Sequence, residues 1–350
     1  MEHSPPSSRI VFLDVAKGIG ILLVVLGHNS VKAFVPGMEK FIFSFHMPFF
    51  FLLSGMLFKP EYPLPVLFER RFKTLIRPFL AAVFLLYFVY LFFTEMTLIT
   101  ILRRALRSLY ASGNYLEWAQ LWFLPHLFLL NLFAALLFLA FYGRLKWVWL
   151  RLAFLAAMLA AGIAFLPVLY MKEVSFLGVS LVLDGLPASL DLLPITAAYF
   201  LLGYEIRRGI SERFFASKWT LLLAGAALVA LNFLFPYRLD FFFRTYDSFI
   251  VNTLEALAGS LFLLSLAQWI ARRPGKLLSL LTYFGQITIV LLTFHQPAQR
   301  LTFERMLHLL GNPFAAGGIA FLASMGVPVL IHQLVLKDNP RLAAWFGLRP

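Results

Sequence analysis

The sequence contains no cysteine, and only 13% of its 350 residues are charged. The lack of cysteine excludes disulfide bonds, a thiolate nucleophile and a zinc site with cysteine ligands. The low charge excludes a soluble globular domain, in which about 25% of residues are charged. Apolar residues fill the composition instead, because 61% of the chain is hydrophobic and its mean hydropathy is +0.83. These values predict a polytopic membrane protein.

The chain is also strongly basic, with 30 Lys and Arg residues against 17 Asp and Glu residues and a net charge of +13. In a soluble protein this excess would suggest nucleic acid as a partner. Membrane proteins, however, collect Lys and Arg in cytoplasmic loops, where these residues meet anionic lipid. We therefore expect membrane lipids, and no nucleic acid, to be the partners of the basic residues.

Apolar runs separated by charged or Pro/Gly-rich stretches predict an all-α fold with about ten transmembrane helices. The predicted spans are residues 10–31, 40–58, 75–94, 120–141, 147–169, 188–204, 217–235, 249–270, 277–297 and 314–335. They form one membrane domain at 10–336, between a disordered N-terminal tail at 1–9 and a C-terminal tail at 337–350. An even number of spans places both tails on one side, which then carries nearly twice as many Lys and Arg residues as the other side. Both tails are therefore predicted to be cytoplasmic. A short interfacial helix is predicted on the opposite side, around Arg103, Arg104 and Arg107.

The first predicted span carries three ionisable residues, Asp14, Lys17 and His28. Such residues are costly inside a membrane and indicate a functional site. At 100° per residue the three side chains share one helix face, and Lys17 and His28 are separated by a rise of roughly 16 Å. Glycines along this span favour close approach of another helix or a ligand, at Gly18, Gly20 and Gly27.

The pattern of span one is also recognisable. Residues 13–28, LDVAKGIGILLVVLGH, resemble the opening span of acyltransferase family 3, whose signature is a basic residue, ten further residues and a histidine; here these are Lys17 and His28. Residues 41–58, FIFSFHMPFFFLLSGMLF, resemble the second span of that family. Lysine in place of arginine, and the sequence from Ser44 to Pro48, are similar to the fucose 4-O-acetylase-like branch.

The resemblance implies an O-acyltransferase in the plasma (inner) membrane of a bacterium. Such a protein moves an acyl group, often acetyl from cytoplasmic acetyl-CoA, to a hydroxyl of a sugar, glycolipid or cell-surface polysaccharide. Acetyl-CoA is then a substrate, and no permanently bound cofactor is expected. The expected partners are the carbohydrate or glycolipid acceptor and proteins of glycan biosynthesis.

Within this hypothesis His28 is the general base, since a sugar hydroxyl must lose its proton and the departing thiolate must gain one. A covalent acyl-histidine relay stays open as a variant. Lys17 would bind the phosphates of CoA, with Asp14 as its structural support. The alternative is that Lys17 and Asp14 only neutralise each other, and that His28 only packs between helices.

Further candidates map to the same depth as His28. His46 is predicted to assist His28 in catalysis, and His295, Asn252 and Glu255 to bind the acceptor. Each of the four has a plain structural alternative, such as helix packing or a position at the membrane interface. No HxH or HxxxH pair occurs, so no metal site is predicted.

Two functions of other classes remain open from the sequence. Intramembrane charges also line the substrate paths of transporters and flippases, although the internal repeats common in such proteins are not evident. A sensor or scaffold of a polysaccharide export complex is the third hypothesis.

Overall fold

A computed structural model describes residues 11–176 and 179–348 of the chain. The predicted tail at 1–9 lies outside the described residues. Most of the described chain is helical, so the predicted all-α class is confirmed.

The helices are of very unequal length. Over the described residues the α-helices are Val11–Gly27 (α1), Met38–Phe43 (α2), His46–Met56 (α3), Leu64–Arg71 (α4), Arg77–Phe93 (α5), Leu98–Ser108 (α6), Phe123–Ala140 (α7), Val148–Leu169 (α8), Leu193–Gly209 (α9), Glu212–Phe215 (α10), Lys218–Leu234 (α11), Phe249–Ala271 (α12), Lys276–Gln286 (α13), Thr288–Leu310 (α14), Pro313–Ile331 (α15) and Pro340–Trp345 (α16). The last of these falls within the predicted C-terminal tail.

Short irregular pieces join the helices. Single 3-10 turns occupy Ser30–Phe34, Gly113–Tyr115, Ala119–Trp122, Tyr142–Arg144 and Pro187–Leu192, and π-helical turns occupy Phe72–Ile76 and His332–Leu336. Two antiparallel hairpins pair Tyr170–Phe176 (β1) with Val179–Asp184 (β2), and Leu239–Asp240 (β3) with Thr245–Tyr246 (β4). The sequence patterns predicted neither hairpin.

Five helical segments of the described chain are long and apolar enough to cross a membrane: Leu64–Phe93, Ala119–Ala140, Val148–Val168, Phe249–Ala271 and Pro313–Leu336. A sixth is added if α13 and α14, which are bent by 86° at Ile287, form one broken span. These helices indicate a multi-pass membrane protein. The predicted count of ten stays a prediction, because the other apolar helices are shorter than a full span.

Two predicted spans are interrupted in the structure. The predicted span at 40–58 breaks at Ser44 and Phe45 into α2 and α3. Pro48 then lies in the first turn of α3, where its missing N–H costs no helical hydrogen bond. The predicted span at 277–297 includes the 86° bend between α13 and α14. A hydropathy window does not register either break, because it averages over about 19 residues and each break has only a few polar residues within a long apolar run.

Helix α1 packs against α13 through a reciprocal glycine contact. A Cβ atom at Gly18 would lie 2.1 Å from the carbonyl oxygen of Leu281, and one at Gly285 would lie 1.9 Å from the carbonyl oxygen of Asp14. The two backbones therefore touch, as the glycines of span one predicted.

The hairpin β3–β4 is fixed to the helices by buried polar contacts. Arg244 donates from Nε to Oδ2 of Asp191 over 2.8 Å, and both side chains are almost completely buried. The hydroxyl of Tyr246 lies 2.7 Å from those of both Tyr199 and Thr253. These contacts hold β3 beside the end of α1.

Candidate active site

A cavity of about 230 Å³ lies at the His28 end of α1. Its walls come from α1, α2, α3, the start of α7, α14 and the β3–β4 hairpin. The lining residues are Ile21, Val24, His28, Lys32, Glu39, Phe43, His46, Met47, Phe50, Ala119, Gln120, Trp122, Phe123, Leu239, Asp240, Phe241, Phe242, Phe243, Thr288, Leu292 and Gln296. Most of this surface is apolar and aromatic, with a few polar groups, as is usual for small-molecule sites.

His28 follows the last residue of α1, and its half-buried side chain lines the cavity. Its Nδ1 lies 2.8 Å from the carbonyl oxygen of Val24. Because a carbonyl oxygen only accepts hydrogen bonds, Nδ1 carries the proton and Nε2 is the acceptor of the neutral ring. His28 is thus held in the tautomer that a general base requires.

Two more of the predicted histidines lie around His28. The ring of His295 packs edge-on against that of His28, with 5.4 Å between the ring centroids, and its Nε2 is buried without a hydrogen-bond partner. The ring of Phe43 lies between His28 and His46, at 6.2 and 4.7 Å. His46 lines the cavity and its Nδ1 lies 3.1 Å from the carbonyl oxygen of Ile42. Three histidines therefore meet at one depth.

Lys17 lies at the other end of the same helix face. Ile21, Val24 and His28 line the cavity, and the spacing of Lys17 from them continues this stripe by one turn. Lys17 itself lines neither of the cavities described here. Its Nζ lies 3.3 Å from Oδ1 of Asp14, and its side chain is 29% exposed. The predicted Lys17–Asp14 pair is therefore present.

A second cavity, of about 160 Å³, adjoins the first. Both are lined by Glu39, Phe43, Leu239, Asp240 and Phe243, and the second adds Lys40, Arg238 and Thr245. We refer to this second cavity as the mouth. Its lining is charged, whereas that of the first cavity is mainly apolar.

Two carboxylates lie where the cavities meet. Glu39 forms an ion pair with Lys32. Asp240 uses Oδ1 to accept the backbone N–H groups of Phe242, at 2.8 Å, and Phe243, at 3.3 Å. Burial raises the pKa of Asp240 to about 6, and the N–H groups oppose this rise only in part.

The remaining predicted residues are placed elsewhere. Asn252 and Glu255 are fully buried in α12 and bond to each other, from Nδ2 to Oε2 over 3.0 Å. Neither lines the cavity or its mouth. Another buried histidine, His126 of α7, was not among these candidates; it bonds through both ring nitrogens, to the carbonyl oxygen of Ala188 and the hydroxyl of Thr196, and is also outside both linings.

Sequence reasoning missed Lys32, Glu39, Gln120, Asp240 and Gln296 as cavity residues. Gln296 directly follows His295 in the sequence, and this position beside a predicted site residue could have indicated that Gln296 also lies at the site. Asp240 lies in the two-residue strand β3 and belongs to no motif. Among the described residues no three His, Asp or Glu side chains are grouped closely enough to hold a metal ion.

The fold and this cavity define a multi-pass membrane protein with a buried histidine site. The family model of acyltransferase family 3, described as an acyltransferase domain, matches residues 10–333. The chain therefore belongs to this family, which makes it a membrane acyltransferase and disfavours a transporter or a scaffold. Its place in the fucose 4-O-acetylase-like branch stays a prediction. Comparisons with curated proteins and with solved structures gave no match.

Proposed function

We propose that this acyltransferase moves an acetyl group from acetyl-CoA to a hydroxyl of a sugar, glycolipid or cell-surface polysaccharide, with His28 as general base. The observation that carries the proposal is the orientation of His28. Its Nδ1–H is committed to the carbonyl oxygen of Val24, so Nε2 is available as an acceptor at the wall of the cavity.

In the proposed reaction Nε2 of His28 takes the proton of the acceptor hydroxyl while the oxygen attacks the thioester carbonyl. The new C–O bond forms, the C–S bond breaks, and the imidazolium returns its proton to the departing thiolate. His295 packs against the ring of His28 on one side, and on the other Phe43 packs between His28 and His46. The acyl-histidine relay differs only in that Nε2 attacks the thioester first.

The donor would lie along α1. We propose that Lys17 attracts the phosphates of CoA and that the pantetheine arm follows Ile21 and Val24 to His28. The rise of roughly 16 Å between Lys17 and His28 suits an extended arm of this kind. Thr288 and Leu292 of α14 line the same cavity as Ile21, Val24 and His28.

The two ends of this path would face different sides of the membrane. Acetyl-CoA is cytoplasmic, so Lys17 would lie toward the cytoplasm and the mouth would open on the opposite side. The distribution of Lys and Arg along the sequence supports this orientation and cytoplasmic termini. We propose the bacterial inner membrane as the location, since both the donor and the glycan precursors are available there.

The test is transfer of radiolabelled acetyl from acetyl-CoA to mixed cell-envelope oligosaccharides by the purified protein in lipid nanodiscs. His28→Ala is expected to lower the rate by roughly 10²–10⁴-fold, the usual contribution of general acid–base catalysis. His308→Ala is the matched control, because His308 is exposed near the end of α14 and lines neither cavity.

Full transfer by His28→Ala would reject His28 as the base. If wild-type protein neither transfers label nor releases CoA, the proposed donor is wrong. The relay variant is separated from the base mechanism by trapping. Rapidly quenched, hydrolysis-sensitive label on a His28-containing peptide, formed without acceptor, would favour the relay.

A further inference from the structure

Several hydrogen-bond acceptors of residues that line the His28 cavity have no donor. Buried Oε1 atoms of Gln120 and Gln296 receive no hydrogen bond, and no described residue donates to Oδ2 of Asp240. A buried acceptor without a donor is costly. An occupant that supplies several O–H or N–H donors would remove this cost.

The orientation of Gln120 is fixed by its other end. Its Nε2 donates to the carbonyl oxygen of Thr293 over 3.3 Å, and the residue is only 4% exposed. A carbonyl cannot donate, so the amide is not reversed and Oε1 is the atom left for an occupant. Gln120 therefore lines the cavity with a buried acceptor that has no donor.

Asp240 presents a second acceptor at the boundary of the cavity and the mouth. It differs from Glu39, whose carboxylate is neutralised by Lys32. Lys40, which follows Glu39 in the sequence and also lines the mouth, donates hydrogen bonds to the carbonyl oxygens of Asn232 and Phe235 and forms no ion pair with Asp240. A carboxylate without an ion-pair partner repels anionic groups and attracts hydroxyls.

The aromatic rings around these acceptors complete the chemistry. Phe43 and Phe243 line both cavities, beside Asp240. A sugar ring has apolar C–H faces and a rim of hydroxyl donors, so it matches aromatic walls that surround isolated acceptors.

We propose that Asp240 and Gln120 form the acceptor subsite, in which each accepts a hydrogen bond from a hydroxyl of the sugar and so positions a further hydroxyl at Nε2 of His28. This inference rests on the proposed function and adds the residues that select the acceptor. Asp240 is the specificity-determining residue at the boundary of the cavity and the mouth, and Gln120 has the same role within the cavity.

The test measures initial rates of acetyl transfer in nanodiscs while acetyl-CoA and the mixture of cell-envelope oligosaccharides are titrated separately. Asp240→Asn keeps the shape and the Oδ1 contacts but removes the charge. It is expected to raise the half-saturating oligosaccharide concentration roughly tenfold, while the half-saturating acetyl-CoA concentration changes less than about twofold. Gln120→Met, which lacks the acceptor, is expected to act in the same direction.

The matched control is Asp247→Asn. Asp247 belongs to the same hairpin region and caps the backbone N–H of Arg238, but it lines neither cavity. Asp247→Asn removes the same charge and should leave both half-saturating concentrations unchanged. Thermal unfolding of each variant separates misfolding from an effect on binding.

The inference is rejected if folded Asp240→Asn and Asp247→Asn have the same kinetics, or if Asp240→Asn raises the acetyl-CoA requirement instead. Equal kinetics of folded Gln120→Met and wild type would reject the assignment of Gln120 to the acceptor subsite. Failure of wild-type protein to transfer label to any oligosaccharide is a different result. It would reject the proposed function, and this inference with it.

Discussion

The contact between α1 and α13 leaves no space for a methyl group. In Gly18→Ala the new Cβ would lie 2.1 Å from the carbonyl oxygen of Leu281, whereas real Cβ contacts are essentially never below 3.0 Å. The helices must then separate by about 0.9 Å. The obstructing atom is backbone, so no side-chain rotation relieves the overlap, and the cost should lie near the upper end of the usual 1–3 kcal/mol for overpacking.

A matched control is available in the same fold. Gly326 lies within α15, and a Cβ there would meet no atom within 4 Å. Gly326→Ala should therefore be neutral or stabilising by up to about 1 kcal/mol, because alanine is the better helix former. The two substitutions add the same methyl group to a membrane-protein helix, and they differ only in what it meets.

The assay is thermal unfolding in one detergent, followed by the fluorescence of the seven tryptophans. At about 2–4 °C per kcal/mol, Gly18→Ala should lower the midpoint by roughly 5–10 °C, and Gly326→Ala should not lower it. Scan rates must match, since unfolding of such proteins is often irreversible. Equal midpoints for the two variants would refute the close contact between α1 and α13.

Three further predictions concern single charged groups. Arg244→Ala leaves the carboxylate of Asp191 buried without its ion-pair partner and should lower the free energy of unfolding by about 3–5 kcal/mol. The double variant Arg244→Ala/Asp191→Ala should regain part of this loss. Equal losses in the single and double variants would contradict the reasoning. Burial raises the pKa of Asp240 above its unfolded value, so its contribution to stability is present below about pH 4 and lost as pH rises through about 6. The unfolding midpoint of Asp240→Asn relative to wild type should therefore rise between pH 4.5 and 7, and a constant difference would show that the carboxyl is not perturbed. Wild type and Asp240→Asn share the other charged and titratable groups that line the two cavities, so only the difference between the two proteins reports on Asp240. These groups are His28, Lys32, Glu39, Lys40, His46 and Arg238. Lys17→Ala should raise the half-saturating acetyl-CoA concentration about tenfold, and Lys17→Arg, which keeps the positive charge, should stay close to wild type. A change in the half-saturating acceptor concentration alone would show that Lys17 does not bind the donor.

Local periodicity accounts for what could be predicted about the site. Lys17 and His28 share a face because both belong to one regular helix, and that relation needs only the 3.6-residue repeat. His46 and His295 were expected at the same depth because each lies toward the same end of an apolar run. Glu255 was expected there on the same grounds, yet its side chain is paired with Asn252 outside the cavity lining. Depth along a helix can be inferred from sequence, but the direction of a side chain around it cannot.

The residues that complete the cavity have no such local signal. Gln120 lies in a 3-10 turn before α7, and Asp240 lies in a two-residue strand. Each reaches the site only because a distant segment holds it, Thr293 for Gln120 and the Arg244–Asp191 ion pair for the hairpin of Asp240. Contacts between segments this far apart leave no periodic pattern in the sequence.

By itself the sequence determined the class of this protein, its helical character and the helix face that carries Lys17 and His28. These properties depend on composition and on the geometry of a single helix, which neighbouring residues set. The tertiary structure alone decided where predicted spans break, which histidines meet, and that Asp240 and Gln120 complete the cavity at His28. The physical reason is that a cavity is formed by the packing of several segments, and packing depends on side-chain shape across the whole bundle rather than along one stretch of chain.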